Sequence, residues 1–186
     1  MITESQVKKY MNAKSNGGGN PYHDELGRFT SGPSTAFGRF ASTKAYTPKA
    51  AKQRLGIEGD TNLSNENLTA AAQCYDAAEN IFQRCGKSAS KSSFDEIKKL
   101  ANDISVMGAQ AQYAITNIAR SKSSQDAKKS MATLLSIAER SGFYGQRILL
   151  QEWKTGGDEA STNAKYAIAP LKSIYQTMKY INNERG

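Results

Sequence analysis

From residue 64 to residue 182 apolar side chains return at intervals of three and four, and that period admits few folds. A stripe repeating every 3.6 residues belongs to helices that bury one side. The first run spans about Ser64 to Cys85, with Leu68, Ala71, Tyr75, Ala78, Phe82 and Cys85 on its stripe and Gly86 where a left-handed terminal glycine belongs. The second opens at Ser93-Phe94-Asp95-Glu96, a capping-box pattern, and continues through Ile97, Leu100, Ile104, Ala111 and Ile118 to about Arg120. The third begins near Ser123 or Ser124 and places Leu134, Leu135, Ile148, Leu149 and Trp153 on or near its inner side. Ser141-Gly142 is a point of bending within it, and Gly156-Gly157 ends it. The fourth runs from about Asp158 to Asn182, with Pro170 inside it, where a proline kinks or restarts a helix. Short Ser/Gly/Lys links between four such segments predict an all-α fold, an antiparallel four-helix bundle-like domain over residues 63–186. Small residues on the presumed inner faces (Ala71, Ala101, Gly108, Ala111) predict either close helix approach or a thin bundle that borrows burial from partner subunits. The aromatic residues spread over the four segments, among them Tyr113, Phe143 and Tyr166, are expected to be mostly core or helix-contact residues.

Residues 1–62 read differently. Thr3 and Gln6 form a capping-box pattern and Ile2 and Val7 a hydrophobic staple, so residues 1–12 are expected to make a short helix. Gly17-Gly18-Gly19 breaks the chain, and from Asn20 to Asn62 no period of 2 or 3.6 is sustained. The expectation is an extended, largely irregular and flexible N-terminal arm. Its charge is dense. Residues 1–62 hold nine Lys/Arg against five Asp/Glu, and residues 63–186, twice as long, hold sixteen against twelve. The chain as a whole carries a formal +8, which favours anionic partners, and the arm is the better place to look for them.

The chemistry of the side chains argues against catalysis. The single histidine, His23, lies in the arm, so no Ser-His-Asp or Cys-His arrangement can be drawn from the body. His23-Asp24-Glu25 has no second His or Cys pair at ligand spacing, and no metal site is expected. The glycine triplet lacks the Lys-Ser/Thr of a phosphate loop. Asp95/Glu96 and Asp158/Glu159 stand at predicted helix starts, where carboxylates stabilise the helix dipole. Cys74 and Cys85 are eleven residues apart on one predicted helix, about 16 Å of rise, too far to pair. Both are expected to be reduced and buried. No apolar run approaches the roughly 20 residues that cross a bilayer, and the first fourteen residues lack the layout of a secretory signal. A non-enzymatic protein with no cofactor, no small-molecule substrate and no membrane span is the expectation.

One stretch is more specific: Asn20-Pro21-Tyr22-His23-Asp24-Glu25-Leu26-Gly27-Arg28-Phe29-Thr30-Ser31-Gly32-Pro33. It resembles short segments at the ends of tailed-bacteriophage head-associated proteins, portal-linked and minor-head proteins among them, and covers about 14 of the 186 residues. That resemblance implies a phage or mobile-element origin and carries over no fold and no catalytic residue. Read physically, the stretch is a docking peptide: Pro21 restricts its start, Gly27 permits a turn, and Phe29 beside Arg28 offers an apolar anchor next to a charge. Gly38-Arg39-Phe40 repeats the Gly-Arg-Phe triplet eleven residues on. Tyr22, Arg28, Phe29, Arg39 and Phe40 are therefore the candidate partner-binding residues. The leading expectation is a virion-associated structural protein of the phage head or neck, in the particle or the host cytoplasm. Its arm would contact other virion proteins, further copies of itself or DNA. Two other functions fit the same residues, an accessory protein that binds a host protein such as a defence factor, and a nonspecific DNA-binding protein.

Overall fold

The computed structural model describes residues 35–185. It is all-α, with no strand among the described residues. A 3-10 turn at Thr35–Phe40 and an extended stretch, residues 41–47, together form a strap that leads into five helices. These are α1 (Pro48–Leu55), α2 (Asn65–Lys91), α3 (Asp95–Arg120), α4 (Lys128–Thr155) and α5 (Glu159–Glu184). Connections of three, seven and three residues join the four long helices, so each must turn back along its predecessor. The result is the expected antiparallel bundle, in which α2, α3, α4 and α5 pack in cyclic order and α3 also touches α5 across the centre.

The core is built from small side chains between a few larger ones. Ala70, Ala71, Ala77, Ala78, Ala101 and Ala111 are buried alongside Leu68, Ile81, Leu100, Ile104, Ile115 and Met178. Helices meet closely where these small residues face one another. At Gly108 on α3, an added Cβ would stand 2.7 Å from the Phe82 backbone nitrogen and 2.8 Å from the Ala78 carbonyl oxygen on α2. Only a residue without a side chain fits that crossing.

The helix ends depart from expectation in instructive ways. The predicted start at Ser64 holds, because its hydroxyl accepts from the Asn67 backbone N–H at 3.1 Å. The end predicted at Gly86 does not. Helix α2 continues to Lys91, because Ser88 and Ala89 beyond the glycine are buried and worth keeping helical. The capping box expected at Ser93 is also absent: Phe94 is the N-cap of α3 and supplies no side-chain bond. Ser92 acts there instead, accepting from the Phe94 N–H at 3.2 Å and donating to Asp158 Oδ2 at 2.5 Å. Ser123 does accept a capping bond, from the Asp126 N–H at 3.2 Å, but it closes a turn and α4 starts only at Lys128. Helix α4 runs unbroken through Ser141-Gly142 and ends at Gly156 in the left-handed conformation. Helix α5 starts in a full Asp158/Ser161 capping box and includes Pro170 without restarting.

The larger correction concerns the arm. Residues 1–34, with the expected short helix, lie outside the described residues. Residues 35–62, expected to be irregular and flexible, instead pack on the bundle. Phe37 and Phe40 are fully buried between α2 and α5, and Ala51 and Leu55 of α1 are fully buried against α2 and the end of α3. Helix α1 escapes a periodicity search because eight residues make barely two turns. Its local signals were nonetheless in place: Thr47 caps it by accepting from the Ala50 N–H at 3.2 Å, Pro48 occupies its first turn, and Gly56 follows it with φ at 63°. The left-handed φ favours glycine at position 56, and a Cβ there would also displace the Arg120 guanidinium, whose Nε donates to the Leu55 carbonyl at 3.0 Å. A polar clamp completes the attachment. Asp76 of α2, 3% exposed, accepts from the Tyr46 hydroxyl at 2.5 Å and from Arg54 Nε at 2.8 Å, while Arg54 also pairs with Glu79 and lies over the Tyr75 ring.

Candidate functional site: a basic cleft beneath the strap

Docking of the strap gathers four cations at one place. On α2, Arg84, Lys87 and Lys91 stand at spacings of three and four and so share one side of the helix. Across from them α5 contributes Glu159 and Asn163. The strap supplies Arg39, and these residues together with Ser88 line a cleft. Arg39 is held in place from three sides. Its Nη1 donates to Asn163 Oδ1 at 3.2 Å, its guanidinium lies 4.2 Å from the centre of the Tyr166 ring, and its carbonyl accepts from Arg84. Asn163 is oriented in turn by donating to Ser88 Oγ at 3.2 Å, and Ser88 donates to the Arg84 carbonyl at 2.8 Å. The neighbouring Asn80 amide fixes the strap by donating to the Phe40 carbonyl at 2.9 Å.

What distinguishes this cluster from ordinary surface charge is convergence, four cations lining one cleft. Among the described residues Arg54, Arg147 and Lys165 are the cations with a carboxylate within ion-pair distance, and the other Lys and Arg side chains of the surface have none. Among the described residues, Arg39, Arg84, Lys87 and Lys91 have none within ion-pair distance, and Glu159 is the one acid lining the cleft. The buried Cys85 thiol beneath registers the result. Burial pushes it up to about 12, while the charges of Arg39 and Arg84 pull it the other way. From Arg84 to Lys91 is about 10 Å of helix rise, comparable to three phosphate-to-phosphate steps of one DNA strand at about 3.4 Å of axial rise each. The side chains are exposed and long, suited to an extended polyanion.

The five residues singled out from the sequence are distributed unevenly. Tyr22, Arg28 and Phe29 lie outside the described residues. Arg39 is exposed in the cleft, with its head group beside Asn163 and Tyr166. Phe40, expected to reach a partner, is 0% exposed: its ring belongs to the core of this chain and fastens the strap. The two Gly-Arg-Phe triplets are therefore not two equivalent free anchors. Arg84, Lys87, Lys91 and Asn163 were not marked by the sequence reading. Their helical spacing was visible, yet nothing in a linear pattern brings the strap and α5 beside them.

No group of three or more His, Cys, Asp or Glu side chains that could hold a metal ion occurs among the described residues, and no helix among them is long and apolar enough to cross a membrane. The chain matches no family model, no curated protein and no solved structure.

Proposed function

We propose that this is a non-catalytic, virion-associated structural protein of a bacteriophage, which grips the phosphate backbone of DNA in the cleft beneath its strap. The observation that carries the DNA contact is the convergence of Arg39, Arg84, Lys87 and Lys91 on one cleft, where they outnumber its single acid, Glu159. A cation with no carboxylate partner is free to neutralise phosphate and release its counterions, which is the main source of sequence-independent DNA affinity. The resemblance of residues 20–33 to segments of head-associated phage proteins supports the particle as the setting. Arg39 forms part of the cleft, so the strap positions a binding group where the sequence alone suggested a free arm.

Two measurements test the reading separately. Fluorescence anisotropy with duplex DNA should give a plot of log K against log salt with a slope near −3.6 if all four cations meet phosphates, at about −0.9 per contact. The double change Lys87→Gln/Lys91→Gln should flatten the slope by about 2. Indifference to DNA at low salt removes the contact. Mass spectrometry of purified particles tests the setting, and absence of the chain from them removes that.

A further inference from the structure

The guanidinium of Arg39 is held as a flat plate on the strap side of the cleft. Its Nη1 donates to Asn163 Oδ1 at 3.2 Å, which fixes one edge, and its carbon lies 4.2 Å from the centre of the Tyr166 ring, which covers one face. Asn163 is 8% exposed and its amide is anchored on Ser88, so that edge cannot swing. The backbone behind the plate is fixed as well, because Arg84 donates to the Arg39 carbonyl and the neighbouring Phe37 and Phe40 rings are buried. Arg39 nevertheless remains exposed. With one face and one edge occupied, the face turned away from Tyr166 is what it offers to a ligand.

An arginine needed only for its charge has no use for this fixing. A phosphate is met as well by a mobile lysine, and Lys87 and Lys91 supply two in the same cleft. Nor is the ring contact a by-product of an ion pair. Arg54 also lies over a ring, that of Tyr75, but its guanidinium is taken by Asp76 and Glu79, whereas Arg39 has no carboxylate partner among the described residues. A planar cation backed by an aromatic ring suits a second kind of contact, since a nucleobase stacks on a guanidinium plane as it does on an aromatic one. The space agrees. The cleft measures about 500 Å³, within the roughly 300–1,000 Å³ of pockets that hold small ligands, so it admits a nucleotide unit as well as a row of phosphates. Cations along α2 and a plate on the strap are the two kinds of group that single-strand binders combine, a positive groove for the backbone and a platform for the base. The bases of a duplex are stacked on one another and cannot reach such a plate.

We propose that the cleft binds single-stranded DNA, with an unpaired base stacked on the open face of Arg39 and the phosphates of the strand on Arg84, Lys87 and Lys91. This rests on the DNA contact proposed above and narrows it: phosphates are met on any nucleic acid, a base face only on an unpaired strand.

Fluorescence anisotropy at one salt concentration should compare an oligothymidylate of about 12 nucleotides with an abasic strand of the same length and charge. The thymidylate should bind at least about fivefold tighter, the low end of what one stacked base contributes. Arg39→Lys keeps the charge and removes the plate, while Phe37, Phe40 and Asn80 still hold the strap. The ratio of the two affinities should then fall toward one, and the slope of log K against log salt, about −0.7 per phosphate on a single strand, should keep its value. Lys91→Gln, which removes a phosphate contact, should weaken both strands by the same factor. Equal affinity of the wild-type chain for the two strands would overturn the stack and leave the phosphate contact standing. A ratio that survives Arg39→Lys would overturn it too. Binding to neither strand at low salt would remove the stack together with the DNA contact it rests on.

Discussion

Removing the ring of Phe40 tests the central structural claim, that the strap is part of the fold. The side chain is 0% exposed and sits beside the equally buried Phe37 between α2 and α5. Phe→Ala in a core costs about 3–5 kcal/mol when the surroundings hold their shape around the cavity. Here the lower end applies, near 3 kcal/mol, because a strap at the edge of a bundle can let go and cap the loss. What it forfeits then is the burial of two Phe side chains, at about 2–3 kcal/mol each, and the bonds from Asn80 and Arg84, less the entropy recovered by the freed residues. In a domain of this size 1 kcal/mol moves Tm by about 2–4 °C, so Phe40→Ala should lower it by about 6–12 °C in a circular-dichroism melt. Amide hydrogen exchange gives the second readout. Protection should fall first at residues 37–46 while α3 and α4 keep theirs. The third is DNA affinity: an undocked strap withdraws Arg39, and the salt slope should flatten by about 1. A variant that melts within a degree or two of wild type yet loses its partner would refute the reasoning. It would mean that the ring serves an interface and not the core.

Two further predictions concern positions away from the cleft. Gly108→Ala should destabilise the bundle by about 1–2 kcal/mol in urea unfolding, because overpacking against the α2 backbone costs about 1–3 kcal/mol and outweighs the gain of up to about 1 kcal/mol in helix propensity. The Tyr46 hydroxyl is raised from 10.0 to about 12, first by burial and then by its bond to Asp76. The folded chain therefore keeps a proton between pH 10 and 12 that the unfolded chain releases, and the stability it confers is whole below pH 10 and lost as pH rises toward 12. Tyr46→Phe should cost about 1 kcal/mol at pH 7 and fall less steeply than wild type above pH 10, as read from urea midpoints. Equal slopes for the two proteins would remove the Tyr46–Asp76 clamp from the account.

The four long helices were legible because each repeats its stripe through seven or more turns, long enough for a period to stand out. Their boundaries were less so. Gly86 and Ser93 look like terminators only until the burial of Ala89 and the bond from Ser92 to Asp158 are known, and both depend on helices that fold later in the chain. Leu135 and Trp153 of α4 turn outward, and this was missed for a related reason: alanine and glycine at the true inner positions, Ala138 and Gly145, leave a weak signal beside bulky neighbours. Of the cleft, Arg39 was singled out and the rest was not. A row of cations on a helix acquires meaning only from what stands opposite, and here that is a strap and a helix at opposite ends of the chain.

The bond between Arg39 and Asn163 spans 124 residues. A ribosome adding about 5–20 residues per second needs on the order of 6–25 s to travel from one to the other. Throughout that interval the groove that receives Phe37 and Phe40 has at most one of its two walls. The strap is thus made first and seated last, and its two aromatic rings wait in water while α2, α3 and α4 emerge. Seating it signals that synthesis has reached α5. A chain truncated before α5 lacks Glu159 and Asn163 and cannot assemble the cleft, so under the proposed function incomplete copies would not bind DNA there.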